Sequence, residues 1–308
     1  MRVSLYVPSY YKDFQCIASA CRHSCCTGWQ VTVDEDAACR YRAVGGEMGK
    51  RLSAAMRQKD GVTVFRLDEN ARCPFLNKEG LCDIILSLGE GFLSEICAEH
   101  PRYRNYLSSR TELGLGISCA EAARLILTSK EKTTLECAEA GRKKPHGFEK
   151  RLLSKRDMLL SIAQDRTLAP YARREKIRDL VGCPRDVGNK EIWLPLYRAL
   201  ERLDTAFDAS LDLWERGALR ECQSVGEAEE QLLVYFLLRH VVKAKNRRDL
   251  RVRAAFCTVA TEHILALAAA CGGTMDELID IARLYSSEIE YSEENTQEIL
   301  AFCKQQLT

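Results

Sequence analysis

The spacing of hydrophobic positions changes along this chain. In the first third, apolar and polar residues alternate over "WQVTVD" (29–34) and "VTVFRLD" (62–68), which predicts short strands with one buried face. Around them, "EDAACRYRAV" (35–44) and "GKRLSAAMRQK" (49–59) carry apolar residues three and four apart, the helical period. A further helix is expected to begin near Cys119, in "SCAEAARLILTSK". Downstream no convincing alternation remains, and Val252, Phe256, Val259, His263, Leu267 and Cys271 fall on one helical stripe. Ser224 with Glu227, and Thr274 with Glu277, have the spacing of capping boxes, in which each side chain satisfies the other residue's amide. "CGGT" closes the helix before Thr274.

These patterns predict a mainly α protein. A Cys-rich N-terminal module with a small β-ribbon occupies 1–130, a connection containing "AGRKKPHG" spans 131–147, and an α-helical bundle fills 148–308. A length of 308 residues with 46% hydrophobic content agrees with about two domains. Lys plus Arg number 45 against 44 Asp plus Glu, so no global field draws the protein to nucleic acid or to an acidic membrane. "MRVSLYVPSYYKDF" lacks the apolar core of a secretory signal, and no stretch approaches the roughly 18 apolar residues of a membrane span. A cytoplasmic protein is expected.

That compartment changes the meaning of the 15 cysteines. Thiols stay reduced there, and a dense group more often binds metal than forms disulfides. Cys16, Cys21, Cys25, Cys26, Cys39, Cys73, Cys82, Cys97 and Cys119 lie in the first 119 residues. Within "CRHSCCTGW" (21–29), the adjacent Cys25 and Cys26 cannot both point into one core, because consecutive side chains diverge. Spacings of C-x4-C-x3-C-C, then C-x8-C-x14-C, suit thiolates converging from turns on one metal centre. They match neither the paired C-x2-C of common zinc ribbons nor the C-x3-C-x2-C of radical enzymes, so spacing does not name the metal. The alternative is that these cysteines are small buried hydrophobes, and that is the reading for Cys137, Cys183, Cys222, Cys257, Cys271 and Cys303.

Other signatures are missing: no G-x-x-x-x-G-K-[ST], no H-E-x-x-H, and "GLGISC" lacks the last glycine of a dinucleotide turn. His263 reads as a satisfied core histidine. His23 and His100, beside cluster cysteines, read as local hydrogen-bonding groups, with metal or outer-shell roles as the alternative. "RREKIR" (173–178) and "KAKNRRDLRVR" (243–253) read as solvated helix faces, either suited to an acidic partner surface.

"FQCIASACRHSCCTGWQVTVD", "FRLDENARCPFLNKEGLCDIILSLGEGFLSEICAEHPRY" and "GISCAEAARLIL" together resemble the flagellin lysine-N-methylase family, part of a wider group of zinc- or iron-chelating Cys-cluster proteins. "EEQLLVYFLLRHV" and "YSSEIEYSEENTQEIL" resemble its later segments. The family pattern maps onto Cys16, Cys21, Cys25, Cys26, Cys73, Cys82, Cys97 and Cys119, and Ser94 stands where many relatives have a further cysteine.

The resemblance implies methyl transfer from S-adenosylmethionine to surface lysines of flagellin, by direct displacement. The expected metal ligands are Cys21, Cys25, Cys26, Cys73, Cys82 and Cys97, around a four-iron–four-sulfur cluster or, alternatively, zinc. A lysine must arrive neutral to attack, and an aromatic wall suits both its stem and the cationic donor. Trp29, Tyr103 and Tyr235 are the aromatic candidates, Asp34 and Asp83 the carboxylate candidates. The competing readings are a metal-binding, redox-sensing adaptor without turnover and a metal carrier.

Overall fold

The computed structural model describes residues 2–217 and 225–307, so Cys222 and Ser224 lie outside it. The chain divides into two units, one of Gln15–Arg102 and one of Met1–Phe14 with Tyr103–Thr308. These limits differ from a boundary at 131–147. The reason is long-range pairing: Leu135–Glu139 is a strand that pairs antiparallel with the N-terminal strand Ser4–Pro8.

In the larger unit those two strands belong to a four-stranded sheet, ordered Arg102–Tyr106, Arg110–Leu115, Ser4–Pro8, Leu135–Glu139. Ser4–Pro8 runs parallel to Arg110–Leu115, with Tyr6 opposite Glu112. Cys137 sits exposed on the edge strand, contrary to the buried reading, whereas Cys183, Cys257 and Cys303 are buried and Cys271 is half-buried. Helices from Ala120–Leu127 to Glu293–Gln306 supply the rest, consistent with a mainly helical protein.

The helix Arg247–Cys271 runs through this core, burying Val252, Phe256, Val259, His263 and Leu267. By length and composition it would suit a membrane span, against the expectation that no stretch does, but 78% of its most apolar window is buried inside the protein. His263 is satisfied at both nitrogens, by the Tyr197 hydroxyl at 2.8 Å and the Gly188 carbonyl at 2.9 Å. The Thr274–Glu277 capping box is present. "RREKIR" is not a solvated face: Arg173 and Arg178 are buried, and Arg173, Arg174 and Arg178 pair with Glu230, Glu229 and Glu262.

The smaller unit opens with helices Glu35–Ala43 and Gly46–Ala55. The last four residues of "GKRLSAAMRQK" are a strand rather than helix. Met56–Lys59 pairs with Val62–Phe65 across an Asp60–Gly61 turn whose φ angles, 50° and 81°, are those a tight hairpin demands. "WQVTVD" is irregular: it joins this ribbon through a Thr32–Val64 bridge, flanked by bonds from Val33 to Thr63 at 2.8 Å and from Phe65 to Val31 at 3.0 Å. Val31, Val33, Tyr41, Leu52, Phe65 and Phe75 form the core. The Phe65 and Phe75 rings meet edge to face at 5.0 Å.

Candidate functional site

The candidate cysteines lie on three segments of the smaller unit, two loops and the loop-helix that ends in Glu95–Glu99, and hydrogen bonds lace them together. The Cys73 amide donates to the Cys26 carbonyl at 2.8 Å, and the Gly28 amide to the Ala71 carbonyl at 2.9 Å, so "CRHSCCTGW" and "RCPF" run side by side. Asn77 shapes the turn before Cys82 by accepting from the amides of Glu79 and Leu81. Asp34 reaches the third segment: one oxygen caps the Glu35–Ala43 helix at Ala37, 2.8 Å, and the other accepts from the Glu95 amide at 2.7 Å. Burial alone would raise its pKa, but these amides outweigh burial and hold the carboxyl below its usual value.

Four cysteines pack on this frame around one small core. Cys73 is buried, and Cys26, Cys82 and Cys97 pack half-buried against the same cluster. Cys73 feels charge on Cys26, Cys82 and Cys97, Cys97 feels charge on Cys26 and Cys82, and Cys82 feels charge on Cys26. Burial, reinforced by these neighbours, pushes Cys73 up to about 12 and Cys97 up to about 11, and raises Cys82. Cys26 goes the other way, lowered to about 7 mainly by a hydrogen bond with the Cys25 thiol. Cys21 donates instead to the His23 carbonyl at 3.0 Å. Cys16 is exposed, and Cys119 belongs to the larger unit. As they stand, no three His, Cys, Asp or Glu side chains among the described residues are grouped so as to hold a metal ion.

Burial therefore disfavours the anions of Cys73, Cys82 and Cys97, but local donors oppose it. Backbone amides at Phe75, and at Ile84 and Ile85, stabilise the thiolates of Cys73 and Cys82. The buried Ser94 hydroxyl has no partner beside a neutral thiol, yet lies within reach of Cys97 and stabilises its thiolate. The Tyr41 hydroxyl is likewise buried without a partner, close enough to Cys97 and Cys82 to feel their charge. Burial alone keeps these thiols protonated, so thiolates here would need a compensating cation, and the unpaired buried donors suit such a set. Sequence reasoning missed Tyr41, whose place on the buried stripe of "EDAACRYRA" was its one signal.

The other candidates have structural employment. Trp29 donates its indole N–H to the Cys25 carbonyl at 2.7 Å and stacks with His100, rings 6.3 Å apart. Asp83 accepts from Arg51 at 2.7 Å and Asn77 at 3.2 Å, and lines a shallow polar depression of about 710 Å³ with Arg51, Arg72, Asn77 and Lys78. In the larger unit Tyr103 and Tyr235 stand together, rings 6.4 Å apart and nearly perpendicular. The Arg239 guanidinium lies over both rings and over Tyr291. The Tyr235 hydroxyl accepts from Arg239 at 2.6 Å and donates to Glu290 at 2.7 Å. Burial would raise Glu290, but Arg239 and His240 overcome it and hold the carboxylate at about 2. A single π-helical turn, Ser286–Glu290, delivers this carboxylate to the interior. Gly114 is required nearby, since a Cβ there would collide with the Tyr103 ring.

No family model matches the chain, and no solved structure matches it. It is similar over 144 residues, at 24% identity, to lysine-N-methylases of Salmonella choleraesuis (strain SC-B67) and Salmonella typhimurium and to the flagellar biosynthetic protein FliU of Salmonella muenchen. The similarity covers 43% of this chain and 82% of FliU, but only 35% of each methylase.

Proposed function

We propose that this chain is a protein-lysine N-methyltransferase that moves methyl groups from S-adenosylmethionine to flagellin, and that Cys26, Cys73, Cys82 and Cys97 hold an iron–sulfur cluster. What supports this reading is that Cys26, Cys73, Cys82 and Cys97, from separate segments, pack on one small core in a chain similar to proteins named lysine-N-methylase. The amides facing Cys73 and Cys82 and the unpartnered hydroxyls of Ser94 and Tyr41 fit a thiolate-bound group. When bound, a cluster cross-links loops far apart in sequence and replaces core that a small unit lacks.

The transfer itself needs no radical. The lysine nitrogen's lone pair attacks the sulfonium methyl carbon as the C–S bond breaks, its electrons staying on sulfur, and the resulting ammonium gives a proton to water. The chain's part is to hold the amine neutral, through desolvation and aromatic contact. Asp34 and Asp83, with both oxygens engaged, keep the loops in place.

Purification without oxygen, followed by elemental analysis and visible absorbance, tests the cofactor: iron with a coloured chromophore is expected, and a colourless zinc protein would refute it. Incubating the iron-loaded protein with flagellin and S-adenosylmethionine tests the activity by mass spectrometry. Flagellin that gains no methyl groups would sink the enzymatic reading.

A further inference from the structure

The chain's charges nearly cancel overall, yet they are used unevenly. Within the larger unit the arginines of the interior are neutralised locally: Arg156 pairs with Glu112, Arg173 with Glu230 and Arg239 with Glu290. One run differs. Arg142, Lys143 and Lys144 follow the edge strand, and Lys150 and Arg151 lie on the opening turns of the Gly147–Ala163 helix. All are exposed, and none has a carboxylate partner among the described residues.

The acidic residue within the run is withdrawn from it. Glu149 accepts from the Ser108 and Ser109 amides at 2.8 and 3.1 Å and from their hydroxyls. Burial opposes ionisation of Glu149, but those donors prevail and hold its pKa below the ordinary value. The helix adds partial positive charge at the same end, since its N-cap residue, His146, makes no side-chain cap. Cations gathered, unpaired and stripped of their neighbouring carboxylate constitute an anion-attracting surface.

We propose that Arg142–Arg151 is the docking surface for an acidic stretch of the protein substrate. The inference rests on the methyl-transfer reading and adds how the substrate is held. A protein surface fits better than nucleic acid for two reasons. The one Phe of the run, Phe148, is half-buried against the core, which leaves the run a single exposed ring, His146, and no platform for successive bases. The strand leading into the run also carries exposed Glu136, beside Glu139 paired with Arg2, and a carboxylate there opposes a continuous phosphate backbone more than a short acidic segment.

The test is methylation kinetics on flagellin with two charge reversals, Arg142→Glu/Lys143→Glu/Lys144→Glu and Lys150→Glu/Arg151→Glu, and a charge-preserving control, Lys143→Arg/Lys144→Arg. KM should rise about tenfold in either reversal while kcat stays within about twofold, and the control should match the parent. The parent's KM should climb as salt is raised from ~50 to ~300 mM, with a flatter response in the reversals. An unchanged KM in both reversals, a salt-insensitive parent, or duplex DNA bound more tightly than flagellin would overturn the proposal. Direct flagellin binding separates the two readings. If the parent transfers no methyl group but binds flagellin in a salt-dependent way that the reversals abolish, the docking surface stands and the enzymatic reading falls.

Discussion

The backbone amide of Cys73 donates to the backbone carbonyl of Cys26 at 2.8 Å. Two cysteine loops far apart in sequence are thereby registered by their main chains, independently of what their sulfurs bind. With Asp34 bonded to the Glu95 amide, the segments carrying Cys26, Cys73, Cys82 and Cys97 are held around one small core by bonds that do not involve sulfur. On the cluster reading proposed above, a metal would have less chain entropy to overcome, and its affinity would depend on which sulfurs face inward.

Single Cys→Ser replacements should therefore divide into two classes. Changing Cys26, Cys73, Cys82 or Cys97 should remove most bound iron, whereas Cys21→Ser, whose thiol is turned to the His23 carbonyl, should keep it. Iron per protein chain after anaerobic purification measures this directly. Equal loss in Cys21→Ser would refute the four-thiol assignment.

Asp34 is a second test, because a cap and a catalytic base respond differently to the same change. Asp34→Ala should cost about 1 kcal/mol for the lost cap and about 1 kcal/mol for the lost Glu95 bond, lowering the denaturation midpoint. Asp34→Asn keeps an acceptor for Ala37 and should recover most of that stability. It should also retain methyl transfer. A folded but inactive Asp34→Asn would make Asp34 a participant in the chemistry.

Much of this arrangement was legible in the residues alone, and the failures share a cause. The stripe from Val252 to Leu267 and the Thr274–Glu277 box are local patterns, and both appear as read. The sheet is not local: Ser4–Pro8 pairs with strands more than a hundred residues away, and no periodicity in "LECAE" announces a partner. "RREKIR" looks solvated because Glu229, Glu230 and Glu262, which neutralise it, lie far along the chain. "MRQK" continued a helical pattern until the Asp60–Gly61 turn folded it back as a strand. The cysteine segments were identified by spacing, but spacing does not say which way a thiol points, and so Cys21 could not be told from Cys26.

Acid should destabilise the larger unit through its buried histidines. Burial is the main cause that lowers His240 and His263 to about 4, from the ordinary value of about 6.5. Between those values the unfolded chain binds protons that the folded chain refuses, so stability is full above about 6.5 and falls as pH drops toward 4. Each histidine contributes on the order of 2 kcal/mol across that window. Urea midpoints measured from pH 7 to 4.5 should decline, and His263→Gln, though less stable at neutral pH, should decline less steeply. Parallel slopes would show that His263 titrates normally.

The Tyr235 hydroxyl, an aromatic candidate from sequence, is expected to be structural. It is buried, it already donates to Glu290 and accepts from Arg239, and burial pushes its pKa well above the ordinary range, so it has neither a free lone pair well placed for a substrate proton nor ready access to the phenolate. Tyr235→Phe should accordingly lower stability by about 1–2 kcal/mol, since it removes a hydrogen bond to each of two buried charges. Glu290→Gln should cost more, about 3–5 kcal/mol, because it leaves the Arg239 guanidinium buried without its counter-charge. Methyl transfer per folded molecule should be unaffected by Tyr235→Phe. If that variant instead melts with the parent and loses turnover, the Tyr103–Tyr235 pair and the Arg239 cation over it lie in the reaction's path, and the catalytic machinery has to be sought in the larger unit.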